Sequence, residues 1–101
     1  MNENLTYAPM LAALGHAARL EIYRLLVRAG EPGLNVGEIG AHLSIPASTL
    51  SHHLSSLVDA GLVVQQKHGR TVQNRVDFDV MNRTVSFLTD ACCVGVDLIG
   101  E

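Results

Sequence analysis

The fold of this chain is decided by one stretch of sequence, Pro46-Ala47-Ser48-Thr49-Leu50-Ser51-His52-His53-Leu54-Ser55-Ser56-Leu57-Val58-Asp59-Ala60. Proline is favoured in the first turn of a helix, and apolar residues recur here on one helical face, at Leu50, Leu54, Leu57 and Val58. The opposite face carries short polar side chains instead of the Glu and Lys of an ordinary solvated helix. Such groups suit contact with base edges in the major groove of DNA, and the candidates are Ser48, Thr49, Ser51, His52 and Ser55.

A second helix is predicted directly before this one, and a tight turn joins the two. The run Asn35-Val36-Gly37-Glu38 has the pattern of a capping box, which opens a short helix over residues 36–43. Two helices joined in this way form a helix-turn-helix, here over residues 36–60. Further upstream, the apolar spacing predicts helices over residues 5–14 and 17–29.

A β-hairpin is predicted after the helix-turn-helix, over residues 62–78. Residues 62–67 are typical of a strand, His68-Gly69-Arg70 of a turn, and residues 71–78 alternate strictly between apolar and polar, with Asn74 placed on the apolar face. The tip would carry three basic side chains beside the phosphate backbone as a wing: Lys67, His68 and Arg70. The serine-rich helix alone also fits a plain amphipathic helix, so the combination of the two features is what favours DNA binding.

A last helix is predicted over residues 80–93. Asp79 is the expected cap, and one apolar stripe is formed by Met81, Val85, Leu88 and Cys92. The fold class is therefore mainly α with a β-hairpin. Three histidines have ordinary structural interpretations: His16 as a helix cap, His53 packed and hydrogen-bonded, and His42 on an exposed surface.

Composition sets further limits on the class of protein. The chain has 101 residues, 48% of them hydrophobic, which fits one domain over residues 1–101. Its net charge of -3 argues against coating nucleic acid through bulk charge. Without a long apolar run or a basic leader at Met1–Asn4, we expect a cytoplasmic protein with no membrane partner. No catalytic signature is present in the sequence, so we do not expect an enzyme.

Four segments together resemble the ArsR/SmtB family of winged helix-turn-helix repressors, which sense metals and metalloids. These segments are Ala13–Ile22, Ser48–Leu54, Ala60–Val63 and His68–Arg70. The resemblance implies a homodimer built from the first and last helices, at residues 1–15 and 79–93. It also implies double-stranded operator DNA with two-fold symmetry, and an inducer that releases this DNA. Apolar side chains on both helices independently favour dimerisation: Met10, Leu11, Leu14, Met81, Val85 and Leu88.

The inducer sites that the resemblance implies are only partly present. The family's cysteine pair at the start of the third helix falls on Asn35 and Gly37, and its zinc site needs a histidine after His68, where this sequence has none. Adjacent Cys92 and Cys93 instead resemble a branch that binds arsenite near its C-terminus. A third cysteine of that branch is missing from residues 94–101.

Several roles remain open for Cys92 and Cys93. Paired thiolates favour thiophilic ions, so As(III) or methylated As(III) is the expected inducer, other thiophilic ions fit as well, and no resident cofactor is expected. Thiol oxidation or persulfide sensing in the same fold is an alternative, and Cys92 could also act as a small hydrophobic residue. A protein-interaction module without DNA binding is the alternative from another class.

Overall fold

The computed structural model describes residues 2–97 and divides them into five helices and three strands. In chain order these are α1 Asn4–Leu14, α2 Ala17–Ala29, β1 Leu34–Asn35, α3 Val36–Leu43, α4 Ala47–Asp59, β2 Val63–His68, β3 Thr71–Val76 and α5 Phe78–Thr89. The predicted fold class, mainly α with a β-hairpin, is confirmed. Within residues 2–97, none of the helices combines the length and the apolar content that crossing a membrane requires.

The core forms where α4 packs against the two helices before it. Leu50, Leu54 and Leu57 of α4 are fully or almost fully buried, as the spacing of the leucines predicts. Against them lie apolar side chains of α2 and α3, among them Ile22, Leu26 and Ile39. Because one face of α4 is held in this core, its serine-rich face is turned outward.

The helix caps fix where the elements begin. The Asn35 side chain accepts a hydrogen bond from the Glu38 amide at 2.8 Å, and the Glu38 carboxylate accepts one from the Asn35 amide at 2.9 Å, so the predicted capping box is confirmed. His16 caps α2, also as predicted. The predicted cap of the last helix is wrong: Asp77, and not Asp79, accepts from the Val80 amide at 3.1 Å, so α5 begins two residues earlier, at Phe78.

The hairpin is joined by a third strand that the sequence does not predict. Antiparallel β1 pairs with β3, which gives the sheet order β1-β3-β2, with Leu34 opposite Asn74. The buried Asn74 amide donates to the Leu34 carbonyl at 3.2 Å and accepts from the Gln65 side chain at 2.8 Å, so one side chain ties all three strands together. Gly33 precedes β1 at a φ of +67°, where a Cβ would collide with the Asn74 carbonyl.

The end of α5 also differs from the prediction. The helix stops at Thr89 rather than Cys93, and a turn follows in which Ala91 and Cys93 have φ values of 57° and 68°. Left-handed backbone of this kind is strained for residues other than glycine, and it stops the helix without a proline. Cys92 therefore leaves the apolar stripe and lies in the turn.

Candidate DNA interface and thiol site

The outer face of α4 presents all five residues proposed to contact bases. Ser48, Thr49, Ser51, His52 and Ser55 are exposed, whereas Leu50 and Leu54 between them are buried. Among the described residues, none of these five side chains forms a hydrogen bond within the chain. Their donors and acceptors are thus available to another molecule.

The hairpin of β2 and β3 carries the three predicted basic side chains at its tip. His68 pairs with Thr71, so the turn consists of Gly69 and Arg70, and Gly69 alone of these two has a positive φ, of +62°. That combination defines a type II′ turn, which requires glycine at its first central position. Lys67, His68 and Arg70 are exposed. In the described part of the chain, none of these three forms a salt bridge; the salt bridge present there joins Arg75 and Glu31, at 3.9 Å.

Three histidines lie where α2 meets α4, at the edge of the outer face of α4, which we call the recognition surface: His16, His52 and His53. His53 is 7% exposed, and its Nδ1 accepts a hydrogen bond from Arg19 Nε at 3.3 Å, which confirms that it is packed and hydrogen-bonded. The ring centroid of His16 lies 4.8 Å from that of His53, and the centroid of His52 lies 5.8 Å away. Burial lowers the pKa of His53 first, and the charges of His16, Arg19 and His52 lower it further. His53 is therefore held neutral.

The two cysteines converge on one point of the turn after α5. Both side chains are exposed, and their Sγ atoms are 2.9 Å apart. A thiophilic ion bonds sulfur at about 2.3 Å, so two sulfurs closer than about twice that distance can bind one atom together. The hydrogen bond to Cys93 raises the pKa of the Cys92 thiol, and desolvation adds to this effect. The Cys92 amide donates to the Thr89 carbonyl at 3.0 Å, which anchors the turn to the end of α5.

Within residues 2–97, no three His, Cys, Asp or Glu side chains are grouped so that they could hold a metal ion together. The turn thus offers two sulfur ligands from one chain, in agreement with the absence of the third cysteine.

The surface formed by α1 and α5 is apolar and partly uncovered. Leu5, Val85 and Leu88 are 74%, 56% and 58% exposed. The prediction for this surface needs one correction, because Met10, Leu14 and Met81 pack partly against the core of the same chain. The two helices are linked by the stacked rings of Tyr7 and Phe87, whose centroids are 4.4 Å apart. Sequence periodicity gave no signal for this pair.

A family model described as a helix-turn-helix domain matches residues 14–66, more than half of the chain. The chain belongs to this helix-turn-helix family. Among curated relatives, an Escherichia coli K12 protein named HTH-type transcriptional regulator YgaV is 29% identical over 85% of this chain and 85% of its own length. A Halobacterium salinarum protein assigned as the arsenical resistance operon repressor ArsR is 43% identical over 60% of this chain and 46% of its own length.

Solved structures of ArsR-type proteins share the architecture of this helix-turn-helix protein. An ArsR-like transcriptional regulator from Rhodococcus sp. RHA1 superimposes with a TM-score of 0.76 at 26% identity, over 87% of this chain and 80% of that one. A homodimeric winged helix-turn-helix DNA-binding domain from Mycobacterium bovis, assigned to the ArsR family, superimposes with a TM-score of 0.69 at 27% identity. The match covers 83% of this chain and 76% of that one. The protein is thus a transcriptional regulator with an ArsR-type winged helix. Its curated relatives are named as a transcriptional regulator and a repressor.

Proposed function

We propose that this chain is a dimeric repressor that releases its operator when trivalent arsenic binds Cys92 and Cys93. The observation that carries the proposal is the pair of exposed sulfur atoms, 2.9 Å apart, in the turn behind α5. The similarity to the Halobacterium salinarum protein, assigned as a repressor of arsenical resistance, supports the same inducer class. Arsenic acts here as a ligand of the regulator and not as a resident cofactor.

In this proposal, α4 enters the major groove and the hairpin lies along the backbone. The unpaired polar groups on the outer face of α4 contact base edges, and the basic wing tip contacts phosphates. The base-contacting residues are Ser48, Thr49, Ser51, His52 and Ser55; the phosphate-contacting residues are Lys67, His68 and Arg70.

The dimer forms through α1 and α5, where large apolar side chains are left uncovered. The radius of gyration is 16.4 Å, compared with about 13 Å for a compact chain of 100 residues, so one copy is elongated and leaves much of its surface open. Leu5, Val85 and Leu88 on this surface would be covered by a second copy. The Mycobacterium bovis domain of the same architecture is a homodimer.

Two thiols fit a methylated arsenical in particular. Methylarsenous acid, CH3As(OH)2, condenses with two thiols to give CH3As(SR)2 and two molecules of water, so two As–S bonds replace two As–O bonds. Arsenous acid, As(OH)3, releases two waters in the same way and keeps one hydroxyl on arsenic. Neither step is a redox reaction. Because one turn supplies both sulfurs, the methylated species has its coordination completed without a third cysteine.

The turn lies where arsenic binding can act on the dimer. Cys92 follows the end of α5 by three residues, and Phe87 of that helix stacks on Tyr7 of α1. The sulfurs already converge, so the last turn of α5 does not have to unwind on binding. New bonds in the turn instead shift α5 against α1 and rotate one subunit relative to the other. Two recognition helices must lie about 34 Å apart to read successive grooves, so a modest rotation weakens DNA binding, by about 1–3 kcal/mol.

Thiol oxidation is the second candidate, because exposed adjacent thiols are accessible to oxidants. The thiolate is the reactive form, and the raised pKa of Cys92 lowers its thiolate fraction. Because the thiolate is also the form that binds thiophilic ions, this pKa does not separate the two candidates, and the titration described below does.

The test is a titration of a labelled fragment of the promoter upstream of the gene, with and without arsenite, methylarsenite, cadmium, zinc and peroxide. We expect release by methylarsenite and arsenite. The variant Cys92→Ser/Cys93→Ser should keep the affinity for DNA and lose this response, and either single variant should lose the response to methylarsenite. Release of DNA from the double variant by either arsenical would exclude the cysteines as the sensor. Release by peroxide alone would favour the oxidation candidate, and no salt-dependent DNA binding would favour a protein-interaction module.

A further inference from the structure

Four cationic or titratable side chains meet at the edge of the recognition surface, where the first turn of α2 approaches α4. His53 is central: Arg19 donates to it, and the rings of His16 and His52 lie within 4.8 Å and 5.8 Å of its ring. The groups that act on the charge of His53 are all cationic or titratable bases, and none is a carboxylate. Arg19 gives this cluster a positive charge on a chain whose net charge is -3.

Arg19 is oriented without being neutralised. Its Nε donates to His53 Nδ1 at 3.3 Å, which leaves both terminal amino groups of the guanidinium for another acceptor. The side chain is half-buried, and within the described residues Arg19 forms no ion pair. A partly desolvated guanidinium held by a neutral acceptor carries an uncompensated charge, and an arriving anion would remove that cost.

His16 and His53 add donors, because the acceptor nitrogen of each ring is already used. His16 Nδ1 accepts from the Ala18 amide at 3.2 Å, and His53 Nδ1 accepts from Arg19, so in each ring Nε2 is left as the donor. Next to them, His52 belongs to the outer face of α4. Arg19, His16 and His53 therefore keep N–H donors whose neighbouring ring acceptors are already used, and an oxyanion requires donors of this kind.

We propose that Arg19, supported by His16 and His53, is a binding site for a backbone phosphate of the operator, at the edge of the groove that α4 enters. A guanidinium held through Nε presents its two amino groups to phosphate oxygens in the geometry of a bidentate contact. Phosphate contacts of this kind fix the orientation of a recognition helix and carry no sequence information. The inference rests on the proposed function, because it takes α4 as the DNA-reading helix.

The experiment compares two substitutions that change the charge equally on the same helix. Arg19→Gln removes the proposed contact. Arg24→Gln is the matched control, because Arg24 is exposed and lines a groove of about 540 Å³ between α2 and α3, outside the histidine cluster. The DNA is the tightest-binding duplex that the unaltered protein selects from a random-sequence library, and the affinity is measured over a series of potassium chloride concentrations. Melting temperatures show whether each variant is folded.

Arg19→Gln should weaken binding about tenfold at moderate salt and lower the slope of log K against log salt by about 0.9 per subunit, or about 1.8 per dimer. Arg24→Gln should leave the slope near that of the unaltered protein, and Arg19→Lys should recover most of the slope that Arg19→Gln loses.

An equal slope for Arg19→Gln and Arg24→Gln overturns the phosphate site, as does a loss of affinity that follows melting temperature without a change in slope. If Arg70→Ala lowers the slope and Arg19→Gln does not, the proposed function stands and this site falls. If the unaltered protein binds no duplex, both fall.

Discussion

The body of the regulator, residues 17–76, and the C-terminal arm, formed by α5 and the turn behind it, use their side chains in opposite ways. In the body, leucines of α4 are buried and Asn74 is buried with its amide paired; the Tyr23 hydroxyl is the buried side-chain group that stays unpaired within residues 2–97. In the arm, Thr84 is the buried residue of α5, while Val85 and Leu88 face solvent and the turn is strained. The side chains of the body are mostly covered by the chain itself, whereas the arm leaves apolar side chains and both thiols exposed.

The largest expected effect is a loss of stability at Gly33, where the body has no room for a side chain. Gly33→Ala places a Cβ against the Asn74 carbonyl at a positive φ, so it should lower the free energy of unfolding by about 4 kcal/mol. Gly69→Ala is the control, because its φ of +62° is similar but its Cβ meets no atom within 4 Å, and the cost should be about 1 kcal/mol. Urea denaturation measures both. Equal losses would mean that backbone strain, and not the close approach of β1 to β3, decides this position.

A charge on the arm should separate the subunits without unfolding them. Leu88→Asp puts a carboxylate on the apolar surface once per subunit, and we expect it to weaken dimerisation by about 3 kcal/mol. The melting temperature of the separated chain should change little, because Leu88 is 58% exposed. Sedimentation velocity measures the dimer, with Ser86→Asp, another exposed position of α5, as the control. A dimer that survives Leu88→Asp and not Ser86→Asp would place the contact on another face of α5.

Changes on the recognition face should affect DNA binding alone. Ser51→Ala and His52→Ala remove proposed base-edge contacts, so each should weaken specific operator binding by about 1–3 kcal/mol, with little change in stability because both residues are exposed. Arg70→Ala should weaken binding to all DNA about equally and lower the salt slope by about one per subunit. Fluorescence anisotropy with operator and scrambled duplexes separates the two patterns. Unchanged operator affinity of His52→Ala would show that α4 is turned differently on the DNA.

The smallest expected effect is on the pH dependence of stability. Burial and neighbouring positive charges lower the pKa of His53 below its usual 6.5, so between the lowered value and 6.5 the unfolded chain binds more protons than the folded one. Stability should therefore fall as pH drops through this window and level off below it. His53→Gln removes the titrating group and keeps an acceptor for Arg19, so its urea midpoint should depend less on pH. His42→Gln, exposed on α3, should behave like the unaltered protein; the same pH dependence in all three would exclude His53 as the source.

The same division governs how much could be predicted from the sequence. Features of the body are encoded locally: the leucine spacing of α4 and the Asn35–Glu38 capping box were predicted and are present. The features that the sequence did not predict depend on contacts between residues distant in the chain or on backbone conformation. Strand β1 has two residues and no periodicity, and it pairs with a partner about 40 positions further along the chain. Asp77 and Asp79 are both plausible caps, and the choice depends on a hydrogen bond from the Asp77 amide to the distant Leu62 carbonyl, at 3.0 Å.

The end of α5 was missed for a different reason. The apolar spacing continues through Cys92, and no glycine or proline follows Thr89 until Gly95, so the sequence has no local stop signal. The helix ends because Ala91 and Cys93 adopt positive φ values, which residue type does not encode. For the candidate site, the sequence predicted which residues are exposed and which cysteines are adjacent. Three contacts depend on the tertiary structure and have no signal in the sequence: the convergence of the sulfurs, the hydrogen bond from Arg19 to His53, and the stacking of Tyr7 on Phe87.

Under the proposed function, the two thiols of the turn chelate arsenic, and this determines which molecules compete with the regulator for it. After the first As–S bond, the second thiol meets the arsenic at an effective concentration set by a few covalent bonds rather than by the bulk solution. A cellular monothiol must supply two separate molecules to remove the same atom, whereas a small dithiol has no such disadvantage. Under the proposed function, the threshold for induction therefore follows the dithiol capacity of the cell more closely than its total thiol content, and each subunit responds to one arsenic atom.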